Sequence, residues 1–362
     1  MKMKLIGLAV VTLLTPLASA NEASWLELDQ DISTLAATSS VGSSGASISG
    51  FIQSSYKSDS ENDKGEWDFS GVRINVKSNV EDIALKISFD LKSGSLSLKD
   101  AFARWDATES MSVTWGKFKR PFLHSFLTSA NKRLFVGSTA NASNDARAHG
   151  VMLNGDLSDM GTWQAAATNG GESATDEMHY TARVAFDLVG EGGFNAFEGA
   201  RGDAAGTNLS LGVSYAEENA PDLEHHKVGI ELAGNVDAIS FHLDMVMYSD
   251  DSSAPLDKTF SVEEVEADLG PPVVAFAAAK GGLADTSPLG LTLAYMLADD
   301  MEIAVRHEDF DDDFDTTRLT VGFNYYAIAP NSVVWQLNYS DSSSDFEEFE
   351  TELIQIGLLA SF

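Results

Sequence analysis

The sequence contains no cysteine. Disulfides are excluded, so stability has to come from backbone pairing and packing. Long apolar runs are missing as well: beyond the first twenty residues, no stretch approaches the ~18 consecutive apolar residues of a membrane-spanning helix. Positive charge is scarce. Lys and Arg total 23 against 55 Asp and Glu, for a formal net charge of −32. That balance disfavours nucleic acid and anionic membrane surfaces as partners. The length, 362 residues, suits two ordinary domains or one large β domain.

The N-terminus has its own character. Lys2 and Lys4 precede the apolar run "LIGLAVVTLLTPL", and "ASA" at 18–20 supplies small residues for cleavage. This is the pattern of a secretory signal peptide over 1–20. The run is too short for a transmembrane anchor, which needs ~20 apolar residues. Residues 21–45, ending in "SSVGSSG", read as a periplasmic tail and Ser/Gly linker.

From residue 46 onward the hydrophobic period is two. In "DIALKISFDLK", Ile83, Leu85, Ile87, Phe89 and Leu91 share one face, opposite Ala84, Lys86, Ser88, Asp90 and Lys92. "TRLTVGFNYY" sets Leu319, Val321, Phe323 and Tyr325 against Arg318, Thr320, Gly322 and Asn324. Alternation over 8 to 11 residues argues strand rather than helix. A soluble sandwich also alternates, but its strands average nearer ~5–6 residues. A transmembrane β-strand needs ~9–11 residues, apolar outward and polar inward. Strands are expected at 46–57, 66–78, 82–92, 96–107, 111–118, 147–156, 162–169, 178–188, 207–216, 225–236, 238–249, 289–298, 301–310, 316–327, 332–341 and 351–362. The expected fold is therefore an all-β, transmembrane antiparallel barrel of sixteen strands over 46–362, in the outer membrane. "PPVVAFAAAKGG" at 271–282 is left in a loop, although it also reads as a strand. Connections alternate short and long, as turns and external loops do in such barrels. The stretch 189–206 breaks that rule by being long where a turn is due. The last strand, "ELIQIGLLASF", ends on Phe362 and resembles the terminal strand of outer-membrane barrels, where the closing Phe is part of the signal to the barrel-assembly machinery.

One stretch departs from the acidic background. "GKFKRPFLHSFLTSANKRLF" (116–135) contains Lys117, Lys119, Arg120, Lys132 and Arg133 and no acid. With Arg147, these cations share the 117–149 interval with a single acid, Asp145. They have three readings: solvated loop charge, pairing with acids on the opposite wall, or a filter that concentrates anions. By parity Arg73, Lys77, Lys86, Lys92, Arg104, Arg183, Lys227, Arg306 and Arg318 face inward. So do Asp90, Asp100, Asp106, Asp187, Glu231, Asp244, Glu302 and Glu308, which leaves the wall close to neutral. Outward Trp105, Trp115, Trp335, Tyr325 and Tyr339 suit an interfacial girdle or a contact between subunits. Acidic loop runs such as "DFDDDFD" lack the Gly and distal Glu of a calcium loop and read as solvated surface. None of the seven histidines lies in a nucleophile motif, and no G-x-S-x-G occurs. No cofactor or metal is called for. The rival readings are a non-conducting structural or adhesin barrel and an outer-membrane barrel hydrolase.

"LKDAFARWDATESMSVTWGKFKRPF" (98–122) carries a more specific signal. It resembles the phosphate-selective porin O and P family, in which a strand with L-x-D-A-aromatic is followed by a strand ending G-Q-F-K-x-P-F. "RLTVGFNYYAIAPNSVVWQLNYS" (318–340) is similar to that family's penultimate hairpin. The resemblance implies a homotrimeric, sixteen-stranded outer-membrane porin whose third external loop folds into the lumen. On that reading, small anions such as phosphate, or other small hydrophilic solutes, pass through. Lys117, Lys119, Arg120, Lys132, Arg133 and Arg147 would then form the constriction, and Arg73, Lys77, Lys86, Asp90, Lys92, Arg104, Arg183, Arg306 and Arg318 would line the pore. The family's phosphate-selective members carry an arginine ladder and a lysine cluster, whereas the wall here is mixed.

Overall fold

A computed structural model describes residues 45–59, 64–92, 95–141, 147–169, 178–190, 194, 198–201, 207–220, 223–250, 286–312, 314–328, 332–345 and 350–362. The expected signal peptide, the tail through residue 44 and the ambiguous 271–282 stretch lie outside the described residues. The strands are β1 (Ser47–Asp59), β2 (Lys64–Val80), β3 (Ile83–Lys92), β4 (Ser95–Asp106), β5 (Met111–Lys119), β6 (Arg147–Asp156), β7 (Gly161–Asn169) and β8 (Met178–Val189). They continue as β9 (Thr207–Ala220), β10 (Leu223–Val236), β11 (Ile239–Asp250), β12 (Leu289–Ala298), β13 (Met301–Asp309), β14 (Thr317–Ile328), β15 (Val333–Ser343) and β16 (Thr351–Ser361). Each falls within a few residues of where the alternation put it.

Every strand pairs antiparallel with its neighbours in sequence, and β1 pairs with β16, so the sheet closes on itself. Closure satisfies every ladder and leaves no edge strand, which a hydrocarbon environment demands. Phe362 completes the seam: its N–H donates to Gly50 O at 3.0 Å, and Gly50 N–H donates to Phe362 O at 2.9 Å. The Phe362 ring lies over Gly50, where an added Cβ would sit 2.7 Å from it. Several hairpins turn through two residues, and Glu81 and Asp237 take the positive φ of such tight turns, 54° and 51°.

The two faces invert the pattern of a soluble protein. β13 alternates exposed and buried along its whole length. Its exposed positions include Ile303 and Val305, and its buried ones include Glu302, Arg306 and Glu308. The same holds along β14 and β15, where Leu319, Val321, Leu337 and Tyr339 are exposed while Thr320, Asn324, Gln336 and Asn338 are buried. Such an apolar outer band is stable only against lipid. Trp105, Trp115, Tyr325, Trp335 and Tyr339 are all exposed on it.

Parity makes a direct prediction. Leu85 faces outward in β3, whereas Gln164 in β7 borders open space shared with Arg104 and Asn154. Leu85→Arg is expected to cost roughly 2–4 kcal/mol of insertion, while Gln164→Arg stays wet and costs little. Heat-modifiable mobility in gels reports folded barrel for each; equal loss would contradict the assigned faces.

The apolar packing inside the barrel is not sheet on sheet. Phe122 and Leu123 cluster with Ala216 and Val246, and Leu134 and Phe135 cluster with Ala294 and Ala304. Phe51, Val334 and Leu359 form a third group, against Ala130 and Tyr326. In all three, residues of the connection after β5 meet inward residues of the wall.

Candidate pore constriction

The described part of that connection, 120–141, begins with a short helix, α1 (His124–Leu127), and a 3-10 turn over Ala130–Lys132. α1 has no acid in its first turn and no side-chain N-cap. It is held instead at its C-terminal end, where Lys119 Nζ donates to the carbonyls of Phe126 (2.5 Å), Leu127 (3.2 Å) and Thr128 (3.1 Å). A hydrogen-bond donor there satisfies the orphan carbonyls of a helix terminus.

From α1 the segment runs along the inner wall from β9 to β16. Ser214 Oγ on β9 donates to Phe122 O. His124 N–H donates to Glu231 on β10 at 2.5 Å, and Ala140 N–H donates to Glu308 on β13 at 2.7 Å. Asn141 Nδ2 donates to Asp244 on β11, also at 2.5 Å. Gln336 Nε2 on β15 donates to the carbonyls of Arg133 and Leu134, both at 3.1 Å. The wall's carboxylates thus hold the backbone of the segment.

Three inward glycines provide the room. A Cβ on Gly229 would lie 2.8 Å from Leu123, one on Gly322 2.7 Å from the Phe135 ring, and one on Gly357 2.7 Å from Val136. Each absent side chain is a socket for an apolar residue of the segment.

The wall charges are paired locally. Arg73 holds Asp90 through two bonds, 2.5 and 2.7 Å. Asp100 accepts from Lys86 and from Arg147, each at 2.7 Å. Arg183 pairs with Glu231, and Arg318 with Glu308 at 2.7 Å. Arg104 pairs with Asp106 at 2.9 Å at the exposed mouth. Asp187 accepts from Ser210, and Glu302 from Tyr326. Among the described residues, much of the near-neutrality by count is thus realised as local ion pairs.

This geometry divides the sequence-based candidates. Arg183 and Arg306, at 5% and 3% exposure, lie beneath the segment rather than along open water. Phe135 and Glu198 lie against Arg306, and Phe194 and Glu231 lie against Arg183. Arg318 keeps 15% of its side chain exposed and is held by Glu308. Arg120 is buried too, and Lys117 donates to Leu98 O at 2.9 Å. Lys92 ends β3 with its backbone opposite Ser95. On the β2–β5 side, Lys77 is exposed and Lys86 keeps 28% of its side chain in solvent. Lys132 faces this side: burial, and then the nearby Lys77 charge, hold its ammonium below the ordinary lysine range. Arg73, Arg133 and Arg147 lie close enough to Lys119 for their charges to act on it. Arg73, Arg133 and Arg147 thus lie near Lys119, and Lys77 near Lys132, with Asp90 and Asp100 ion-paired among them.

Sequence reasoning passed over Glu198. Its carboxylate accepts from Leu134 N–H at 3.1 Å and lies 3.5 Å from Arg306. The anomalous length of 189–206 was the signal available for it.

None of the curated proteins matches this chain. Among solved structures, the fold is similar to OmpT, an outer membrane protein of Vibrio cholerae, in a form with loop L8 deleted. The TM-score is 0.59 at 12% identity, covering 89% of this chain and 100% of that one. A trimer form of the same protein gives 0.58 at 12% identity over 89% and 100%. An anion-selective porin from Comamonas acidovorans gives 0.56 at 11% identity over 88% and 100%. These likenesses are of fold. The sequence itself matches the model for phosphate-selective porin O and P over residues 45–247, more than half its length and including the whole 98–122 motif. The closed barrel with its apolar outer face agrees with that match, and the chain belongs to the phosphate-selective porin O and P family of outer-membrane channels for small solutes.

Proposed function

We propose that this channel passes small anions in preference to cations, by diffusion and without chemistry. The observation that carries the reading is the grouping of Lys77 with Lys86 and Lys132, beside Arg133, on a chain of net charge −32. A charge cluster of one sign in a narrow, low-dielectric passage concentrates the opposite ion. Arg73, Lys86 and Arg147 are each committed to a carboxylate. The field of the cluster, rather than a bidentate grip on phosphate, therefore supplies the preference. The same reading takes the protein as a homotrimer, as in the trimer form of the Vibrio cholerae protein, made with a cleaved signal peptide over 1–20 and a periplasmic tail over 21–45. Phe362 serves there as the residue read by the barrel-assembly machinery of a Gram-negative cell. The test is the reversal potential of the purified protein in a salt gradient: anion preference is expected, and a cation-preferring wild type would overturn the reading.

A pH dependence follows with a definite sign. Because Lys132 titrates below ordinary lysines, raising the pH discharges it before the solvated lysines. Anion preference is expected to decline on the alkaline side, and to decline less in Lys132→Arg, whose charge persists. Reversal potentials measured across pH for both proteins check this.

A further inference from the structure

The connection from β8 to β9 starts at the end of the barrel where the other described turns are short, yet it reaches the 120–141 segment. Glu198 N–H donates to Lys132 O at 2.8 Å, and Leu134 N–H donates to the Glu198 carboxylate at 3.1 Å. Gly199 is packed tightly, since a Cβ there would lie 2.6 Å from both Leu134 and Glu302. Ala200 N–H donates to Glu302 at 2.7 Å, and the Arg201 guanidinium lies 3.5 Å over the Tyr326 ring. Phe194 lies 4.9 Å from the His124 ring and 4.8 Å from the Arg183 guanidinium. Two connections entering from opposite membrane faces therefore meet inside the barrel. Residues 132–134 are gripped between Glu198 on one side and Gln336 on the other.

We propose that residues 198–201 form the second half of the constriction, and that Glu198 determines its selectivity by fixing both the position and the net charge of the Lys132–Arg133 face. The inference rests on the reading of that face as the selective element. Glu198 is the acid held directly against it: one carboxylate oxygen serves Leu134 N–H and Arg306 together. Burial works against the Arg133 charge, and the Glu198 carboxylate is the neighbour that most favours it. The arrangement makes Glu198 a brake. It holds the cations in place while cancelling part of their field, so the passage attracts anions without trapping them.

Position and charge separate by substitution. Glu198→Gln keeps an acceptor for Leu134 N–H and removes the charge. The anion-to-cation permeability ratio is expected to rise by about twofold or more, as one unit charge acting across several ångströms of water-filled space requires. Single-channel conductance should stay near wild type. Glu198→Asp keeps the charge and shortens the reach; the ratio should hold while conductance rises and becomes noisier. Both variants are checked for heat-modifiable folded barrel, and the aspartate variant still tests the grip if the glutamine variant folds poorly. An unmoved ratio in Glu198→Gln overturns the proposal, as does an aspartate variant with wild-type conductance. Charge reversal at Lys77 and Lys132 serves as the control. If it moves the ratio while Glu198→Gln does not, only the role of Glu198 fails; if neither moves it, the anion reading fails with it.

Discussion

Replacing Lys77 and Lys132 together by glutamate is expected to turn the channel from anion-preferring to cation-preferring. The two positions change the local charge by about four units, on groups near enough for their charges to act on one another. Lys77 is exposed, and Lys132 is close enough to feel its charge. Confined charges are screened less than those on an open surface, where the Debye length is ~8–10 Å near physiological salt. The swing in reversal potential should therefore be large in dilute salt and shrink in concentrated salt. Lys119 and Arg120 are left intact by design. Lys119 holds three carbonyls at the end of α1, and Arg120 is buried, so changing either would disturb the segment as well as its field. A reversal potential unmoved by the double change, with normal yield and conductance, would show that the passage lies elsewhere.

The second large effect concerns the seat of the segment. Gly322→Leu is expected to unseat residues near Phe135 and raise single-channel conductance severalfold, with loss of ion preference. Even a bare Cβ would stand 2.7 Å from the Phe135 ring, and a leucine has nowhere to go but the space the ring occupies. Overpacking of this kind costs ~1–3 kcal/mol or more. The backbone of β14 keeps its ladder to β13 and β15, so the barrel itself should survive as a heat-modifiable species. Gly229→Leu should act likewise through Phe122 and Leu123. Normal conductance in both variants would mean that the segment does not narrow the channel.

The strands were legible because their cause is local. Lipid on one side and polar groups on the other impose a period of two, and "TRLTVGFNYY" shows it without reference to any other residue. The actual β14, Thr317–Ile328, differs from expectation by one residue at each end. The charge balance of the wall was legible for the same reason, since parity alone assigns faces. Pairing was less so. Arg73 and Asp90 stand directly opposite in the β2–β3 register, but Arg183 and Glu231 are separated by β9 and meet across Gly212, where a Cβ would be 2.3 Å from the carboxylate. The seat of the segment was least legible. Parity placed Gly322 inward, but only the path of residues 120–141, 180 or more positions away in sequence, explains why no side chain is tolerated there. Glu198 was hidden similarly: the excess length of 189–206 was visible, and its direction was not.

The sockets also set an order of events in the life of the chain. Phe135 and Val136 are made long before Gly322 and Gly357, the glycines they meet. The seam needs Phe362 itself. Contacts that span so much sequence form late, because the intervening chain must first be organised. Until the wall has closed, the basic segment has no place to sit, and the apolar residues that later anchor it are uncovered.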